Sequence, residues 1–153
     1  MKKISKILVP TDFSEGSEEA AIFATELAKT FGAKIRLLHV IGLNTIHMYG
    51  DAMFWTGPEF EGKVKDSAKA EMDKFVTKLR FDEKPEVSLE LFSGAIAQRI
   101  TADAAENKID LVVMSTHGRT GLDRIFLGSV TERVLRTSPC PVLILPKETK
   151  KKH

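Results

Sequence analysis

The sequence has one cysteine, Cys140, so a disulfide framework within the chain is excluded. Cys140 stands between Pro139 and Pro141, with no adjacent histidine or basic residue to favour its thiolate, and reads as a buried structural thiol. An excess of charge of one sign is also missing. The 23 basic residues face 21 acidic ones, a net charge of +2 that gives no global footprint for nucleic acid or an anionic membrane. Long apolar runs are absent too. The first lysines are followed only by Ile7 to Val9 before Pro10, too short for a signal peptide or a membrane span, so a cytoplasmic protein is expected. The histidines His39, His47, His117 and His153 show no zinc-ligand spacing, and no metal site is expected apart from an ion carried by a nucleotide. Neither a Ser–His–Asp order nor paired carboxylates stand at the strand ends, so no catalytic residue is assigned.

What is present is ordinary globular chemistry. With 153 residues, 42% hydrophobic and 29% charged, the chain has the length of one domain and can bury a core without staples. Residues 1–146 read as that domain. Residues 147–153, with Lys147, Lys150, Lys151 and Lys152, read as a solvated basic tail.

Short apolar runs alternate with amphipathic stretches. Ile7-Leu8-Val9 reads as a strand buried on both faces that stops at Pro10-Thr11-Asp12. From Ser14 to Phe31 the period becomes helical, with Ala20, Phe23, Ala24, Leu27, Ala28 and Phe31 on one stripe and Gly32 placed to end it. The pattern recurs as a strand over Lys34 to Ile41, a helix over Asp66 to Leu79 and a strand over Val87 to Phe92 closed by Gly94. A helix over Ala95 to Glu106, a strand over Leu111 to Met114, a helix over Ser129 to Arg136 and a strand over Val142 to Leu145 complete it. Alternation of this kind predicts an α/β domain: one doubly wound, five-stranded, mostly parallel sheet with helices on both faces. Ligands of such sheets bind at the carboxyl edge where the strand order reverses. The chemistry is therefore expected in Pro10-Thr11-Asp12, after Val40 and after Met114. Residues 42–62 lack a clear period and hold Met48, Tyr49, Met53, Phe54 and Trp55. They read either as a loop or short helix packing its aromatics, or as a lid or partner surface.

Between the fourth strand and the next helix runs Ser115-Thr116-His117-Gly118-Arg119-Thr120-Gly121, continuing to Gly128-Ser129-Val130-Thr131. Glycines let backbone N–H groups approach a phosphate, and a helix start favours an anion. Ser129 and Thr131 add hydroxyls, and Arg119 or Arg124 charge. Ser129-Val130-Thr131-Glu132 also matches a capping box, in which Ser129 serves only the helix. Both readings stand on residue chemistry alone.

PTDFS after the first strand, LLHV in the second, and STHGRTGLDRIFLGSVTERVLRTSPCPVLIL at the end together resemble the universal stress protein family. Its ATP-binding members carry Gly, two residues, Gly, nine residues, then Gly followed by Ser or Thr. Here Gly118 and Gly128, with Ser129 following, occupy the later positions, and Ser115 replaces the first glycine. The resemblance implies that Pro10, Thr11 and Asp12 lie against the ribose and base of ATP and that Val40 contacts the adenine. It implies that Ser115, Thr116, His117, Gly118, Arg119 and Gly121 wrap ribose and phosphates, while Gly128, Ser129, Val130 and Thr131 hold the phosphate chain. Asp12 would help place Mg²⁺, or else serve as a turn residue capping the first helix. The family also implies a homodimer through Val142 to Leu145, a strand with an open edge. The expected function is an ATP-binding regulatory protein of the stress response that acts with a further protein partner. The alternatives are a relative without nucleotide binding that acts as a dimeric interaction protein, and a slow ATPase.

Overall fold

The computed structural model describes residues 2–43, 57–116 and 127–146. The elements run β1 (Lys6–Pro10), α1 (Glu15–Phe31), β2 (Lys34–Gly42), α2 (Pro58–Leu79), β3 (Glu86–Phe92), α3 (Ile96–Glu106), β4 (Leu111–Ser115), α4 (Ser129–Thr137) and β5 (Val142–Leu145). The sheet order is β3-β2-β1-β4-β5, and every pairing is parallel. The expected five-stranded α/β sheet is thus present. Among the described residues, no helix is long and apolar enough to cross a membrane.

Alternation along the central strands builds two cores. Ile7, Val9, Leu37 and Val113 face α1 and α2, where Ala20, Ala24, Met72 and Phe75 meet them. Leu8, Leu38, Val40, Val112 and Met114 face α3 and α4, against Ala97, Ile100, Ala104 and Val134. Helix α1 departs from the expected stripe. It buries Ala20, Ala21, Ala24 and Ala28, so it lies close on the sheet, and it leaves Phe23 and Phe31 exposed. Ser14 caps its start and Gly32, at φ 65°, ends it in the left-handed region. Helix α2 begins at Pro58 rather than near Asp66. Proline suits a first turn, where its missing N–H costs nothing, and Glu59 and Glu61 favour the helix dipole.

Two carboxylates close the amino end of the sheet. Asp103, fully buried on α3, accepts from Arg36 Nε at 2.9 Å and Arg36 Nη2 at 2.7 Å, and also from Asn107 Nδ2 at 3.1 Å. Arg36 Nη1 reaches Glu86 at 3.1 Å. This cluster ties β2 to α3 beneath the sheet. Asp110, just before β4, accepts from the backbone N–H of Ser5 at 2.9 Å and of Lys6 at 3.0 Å, and pairs with Lys2 at 3.1 Å. The Ser5 bond, the Lys2 partner and the Lys6 bond hold its carboxyl below the usual carboxylate range.

Replacing Asp103 with alanine leaves a buried guanidinium short of its main partner and should lower stability by about 3–5 kcal/mol in denaturant titration. The apolar pair Arg36→Met with Asp103→Leu should recover most of that loss. Asp110 has a depressed folded pKa, so its contribution is present above the unfolded value near 3.9 and is lost as pH falls through the folded one. Thermal melts of Asp110→Asn should therefore lie below wild type at pH 7 and converge with it in strong acid.

Candidate functional site

The geometry of the carboxyl edge follows from where β1 and β4 stop pairing. Their register holds at Ile7↔Leu111 and Leu8↔Val112, while β1 runs on to Pro10 and β4 to Ser115. Beyond that point β1 stays with β2 through Pro10↔Leu38 and a bond from Thr11 N–H to Leu38 O at 2.8 Å. Strand β4 stays with β5 through Ser115↔Leu145 and a bond from Thr116 N–H to Leu145 O at 3.0 Å. Helix α1 then leaves for one face and α4 for the other. Pro10-Thr11-Asp12 and Ser115-Thr116 thus part at the topological switch point of the sheet, the place where a crevice for a ligand forms in such folds.

On the β1 side, Thr11 is buried and fully engaged. Phe13 N–H donates to its hydroxyl at 3.0 Å, and that hydroxyl meets Ser17 Oγ at 2.9 Å. Ser17 in turn donates to Ser14 O at 2.9 Å, so the Thr11 proton goes to Ser17. The Thr11 hydroxyl therefore serves the start of α1. Asp12 is half-buried and accepts from Ser14 N–H at 3.0 Å, a turn ahead of the true cap, which is Ser14. Phe13 carries φ 64°, a left-handed backbone that costs a non-glycine residue about 1–2 kcal/mol. Its ring offsets the cost by packing on His39 at 4.4 Å and edge-on to Phe75 at 5.9 Å.

Val40 lies two residues beyond Leu38 on β2, past the last pair with β1. Backbone groups alternate along a strand, so the Val40 N–H and C=O point to the side on which Leu38 O receives Thr11. They overlook the crevice. The Val40 side chain is buried among the α3 and α4 core residues.

On the β4 side, α4 starts at Ser129 with Gly128 as its N-cap and no side-chain cap bond. The capping-box reading is corrected here. Ser129 is the first helical residue, exposed, and Glu132 pairs with Arg136 at 2.7 Å. The first-turn N–H groups of Ser129, Val130 and Thr131 are those a helix cannot satisfy internally. Gly128 N–H donates to Thr116 O at 2.9 Å, and Thr131 donates its hydroxyl to Ser115 O at 3.1 Å. The Thr131 hydroxyl thus fastens α4 to β4, and only the backbone of Thr131 faces outward as a donor. The Gly128 backbone, at φ −57°, suits any residue, and a methyl group there would stand 3.4 Å from Thr116 O, an ordinary contact. Among the described residues, none comes close enough to require glycine here. What its absent side chain leaves clear is the approach from outside.

Other expected site residues, His117, Gly118, Arg119 and Gly121, lie outside the described residues, as does most of 42–62. Thr116 and Gly128 are joined by the bond from Gly128 N–H to Thr116 O. Among the described residues, no cluster of three or more histidine, cysteine, aspartate or glutamate side chains could hold a metal ion. Cys140 is half-buried, and burial pushes its thiol pKa up, so it does not act as a thiolate. A concavity of about 340 Å³ lies behind Phe13, His39 and Ile41, against Val64 and Ala68 of α2. Sequence reasoning gave no weight to Phe13, Ser17 or His39. Their signal was a bulky residue directly after a strand-terminating Pro-Thr-Asp turn and a polar ring inside an apolar strand.

The model of the universal stress protein family matches residues 3–146. Universal stress protein MJ0531 of Methanocaldococcus jannaschii is 36% identical over 145 residues, covering 95% of this chain and 84% of that protein. The solved structure of MJ0577 from the same organism superposes with a TM-score of 0.81 at 30% identity, covering 97% of this chain and 100% of that one. The universal stress protein of Archaeoglobus fulgidus, solved in complex with dAMP, shares the fold with a TM-score of 0.66 at 21% identity, over 94% of this chain and 98% of that one. With the family model spanning the sheet and both sides of the crevice, the chain belongs to the universal stress protein family.

Proposed function

We propose that this protein binds an adenine nucleotide, ATP in the resting case, across the crevice between β1 and β4, and that occupancy of the site is its signal. The observation that carries the reading is the start of α4. A helix N-terminus with no side-chain cap bond opens at the switch point of a parallel sheet, behind a glycine where a methyl group would meet no described atom closer than 3.4 Å. The N–H groups of Ser129, Val130 and Thr131 would receive phosphate oxygens. The Val40 backbone and the Asp12 turn would face the base and ribose, with Asp12 near enough to the edge to share a Mg²⁺ with the phosphates. His117, Gly118, Arg119 and Gly121 belong to the same proposal through the family pattern. A relative of the same fold has been solved with dAMP, which supports the adenine class.

Occupancy needs a reader. Strand β5 is an edge strand whose four residues are all half-buried, and we assign it to a homodimer with a second copy of the chain. A cytoplasmic address, an adaptor role toward another protein, and a division into a binding domain at 1–146 with a basic tail at 147–153 complete the reading. Hydrolysis is not part of the proposal, which assigns no catalytic residue.

Calorimetry with ATP and Mg²⁺ should give a dissociation constant of micromolar order, about −8 kcal/mol. Gly128→Val should weaken it by at least about tenfold while the melting temperature stays close to wild type. Wild-type affinity in that variant would move the phosphates away from α4. For the dimer, Ile144→Lys should shift sedimentation velocity toward monomer, and an unaltered profile would remove β5 from the interface.

A further inference from the structure

We propose that Phe13 and His39 are the positioning pair of this site. They lock the turn that carries Asp12 to the strand that carries Val40, and so set the gap into which the nucleotide base fits. The inference rests on the nucleotide-binding reading and deepens it.

The lock is a clamp on one residue. Thr11 donates its N–H to Leu38 O at 2.8 Å and accepts at its own carbonyl from His39 Nδ1 at 2.7 Å. Successive residues of β2 thus hold both polar ends of Thr11, and the next residue of β2 is Val40. A carbonyl oxygen only accepts, so Nδ1 carries a proton whether the imidazole is neutral or charged. The Asp12 turn is therefore tied to the strand that carries Val40 by a backbone bond from Thr11 and by a hydrogen bond from the His39 side chain.

Phe13 protects that bond. Its left-handed backbone, φ 64°, reverses the chain directly after Asp12 and lays the ring on the imidazole at 4.4 Å. Phe75 of α2 supports the far side edge-on at 5.9 Å. Glycine would adopt this φ without strain, so a phenylalanine here must return its cost through the ring. The packing covers one face of the imidazole and holds it so that Nδ1 meets the carbonyl in a half-buried bond. The Phe13 N–H, bonded to the Thr11 hydroxyl at 3.0 Å, makes ring and clamp one unit.

The test separates donor from ring and positioning from mere stability. In His39→Asn the amide nitrogen stands as many bonds from the backbone as Nδ1, so the donor is kept and the ring lost. In His39→Phe the ring is kept and the donor lost. Phe13→Gly keeps the left-handed turn and removes the ring. Each variant is titrated with ATP and Mg²⁺ at a temperature where circular dichroism shows it fully folded, so that a loss of stability alone leaves the dissociation constant unmoved. The expected result is affinity within about threefold of wild type for His39→Asn and losses of about tenfold or more for His39→Phe and Phe13→Gly. Wild-type affinity in His39→Phe and Phe13→Gly overturns the positioning role and leaves nucleotide binding standing. Equal losses in His39→Asn and His39→Phe overturn the hydrogen bond as the lock. A wild-type protein that binds no ATP overturns the nucleotide reading, and this inference with it.

Discussion

Everything at the working end of this molecule depends on β1 and β4 parting after two paired residues. They begin as neighbours because both are apolar on both faces, and they separate because the helices that follow them leave for opposite sides. A continuous ladder there would leave no room for a ligand. The separation is held open from both flanks by backbone bonds, Thr11 to β2 and Thr116 to β5. The buried hydroxyls of Thr11 and Thr131 reinforce the flanks, one tied to α1 and the other to β4. Side chains that look from the sequence like ligand donors are in this way spent on shaping the gap. In the proposed reading, the phosphates then meet the backbone N–H groups at the start of α4.

The sheet was legible because its signals are local. A run such as Leu111-Val112-Val113-Met114 can be satisfied only between two covered faces, and the strand order follows from right-handed crossovers. The same topology directs the expectation of a site to Pro10-Thr11-Asp12 and to the segments after Val40 and after Met114, at the carboxyl edge. What escaped was set by packing between distant elements. Helix α1 lies close enough to the sheet for alanines to fill the contact, so Phe23 and Phe31, which share the helical period, sit at its exposed margin. The first turns of α2 hold Glu59, Glu61 and Lys63 around a half-buried Phe60, a stretch without a continuous apolar stripe, and only Pro58 announced them. Ser129 matched a cap by residue type, but the helix starts one residue earlier, since the Gly128 carbonyl already accepts from Glu132 N–H at 2.9 Å.

Arg36 and Asp103 show the same limit for charges. An arginine inside Ile35-Arg36-Leu37-Leu38 and an aspartate among the buried alanines of α3 each break an apolar pattern. Separately they look like errors of register. Only the fold brings them to a two-pronged contact across 67 positions of sequence. The broken pattern was itself the signal, because a charge on a buried face requires a partner on the element that covers it.

These carboxylates also explain why the two ends of the sheet differ. At the amino end, Asp110 gathers the N–H groups of Ser5 and Lys6, Asp110 N–H returns a bond to Lys6 O at 3.0 Å, and Asp103 anchors Arg36. Backbone donors there are consumed by protein side chains, and β1 is bound firmly to the start of β4. At the carboxyl end the β1 turn is bound by the His39 side chain of β2, and α4 begins without a capping side chain. Closing that end with an aspartate at position 128 would stabilise the helix by the ordinary logic of capping. It would also put a fixed negative charge where the helix N-terminus favours an anion. The glycine gives up the stability of a side-chain cap and leaves the first N–H groups of the helix without one. A fold that is tight at one end and unfinished at the other is what a site for an exchangeable ligand requires.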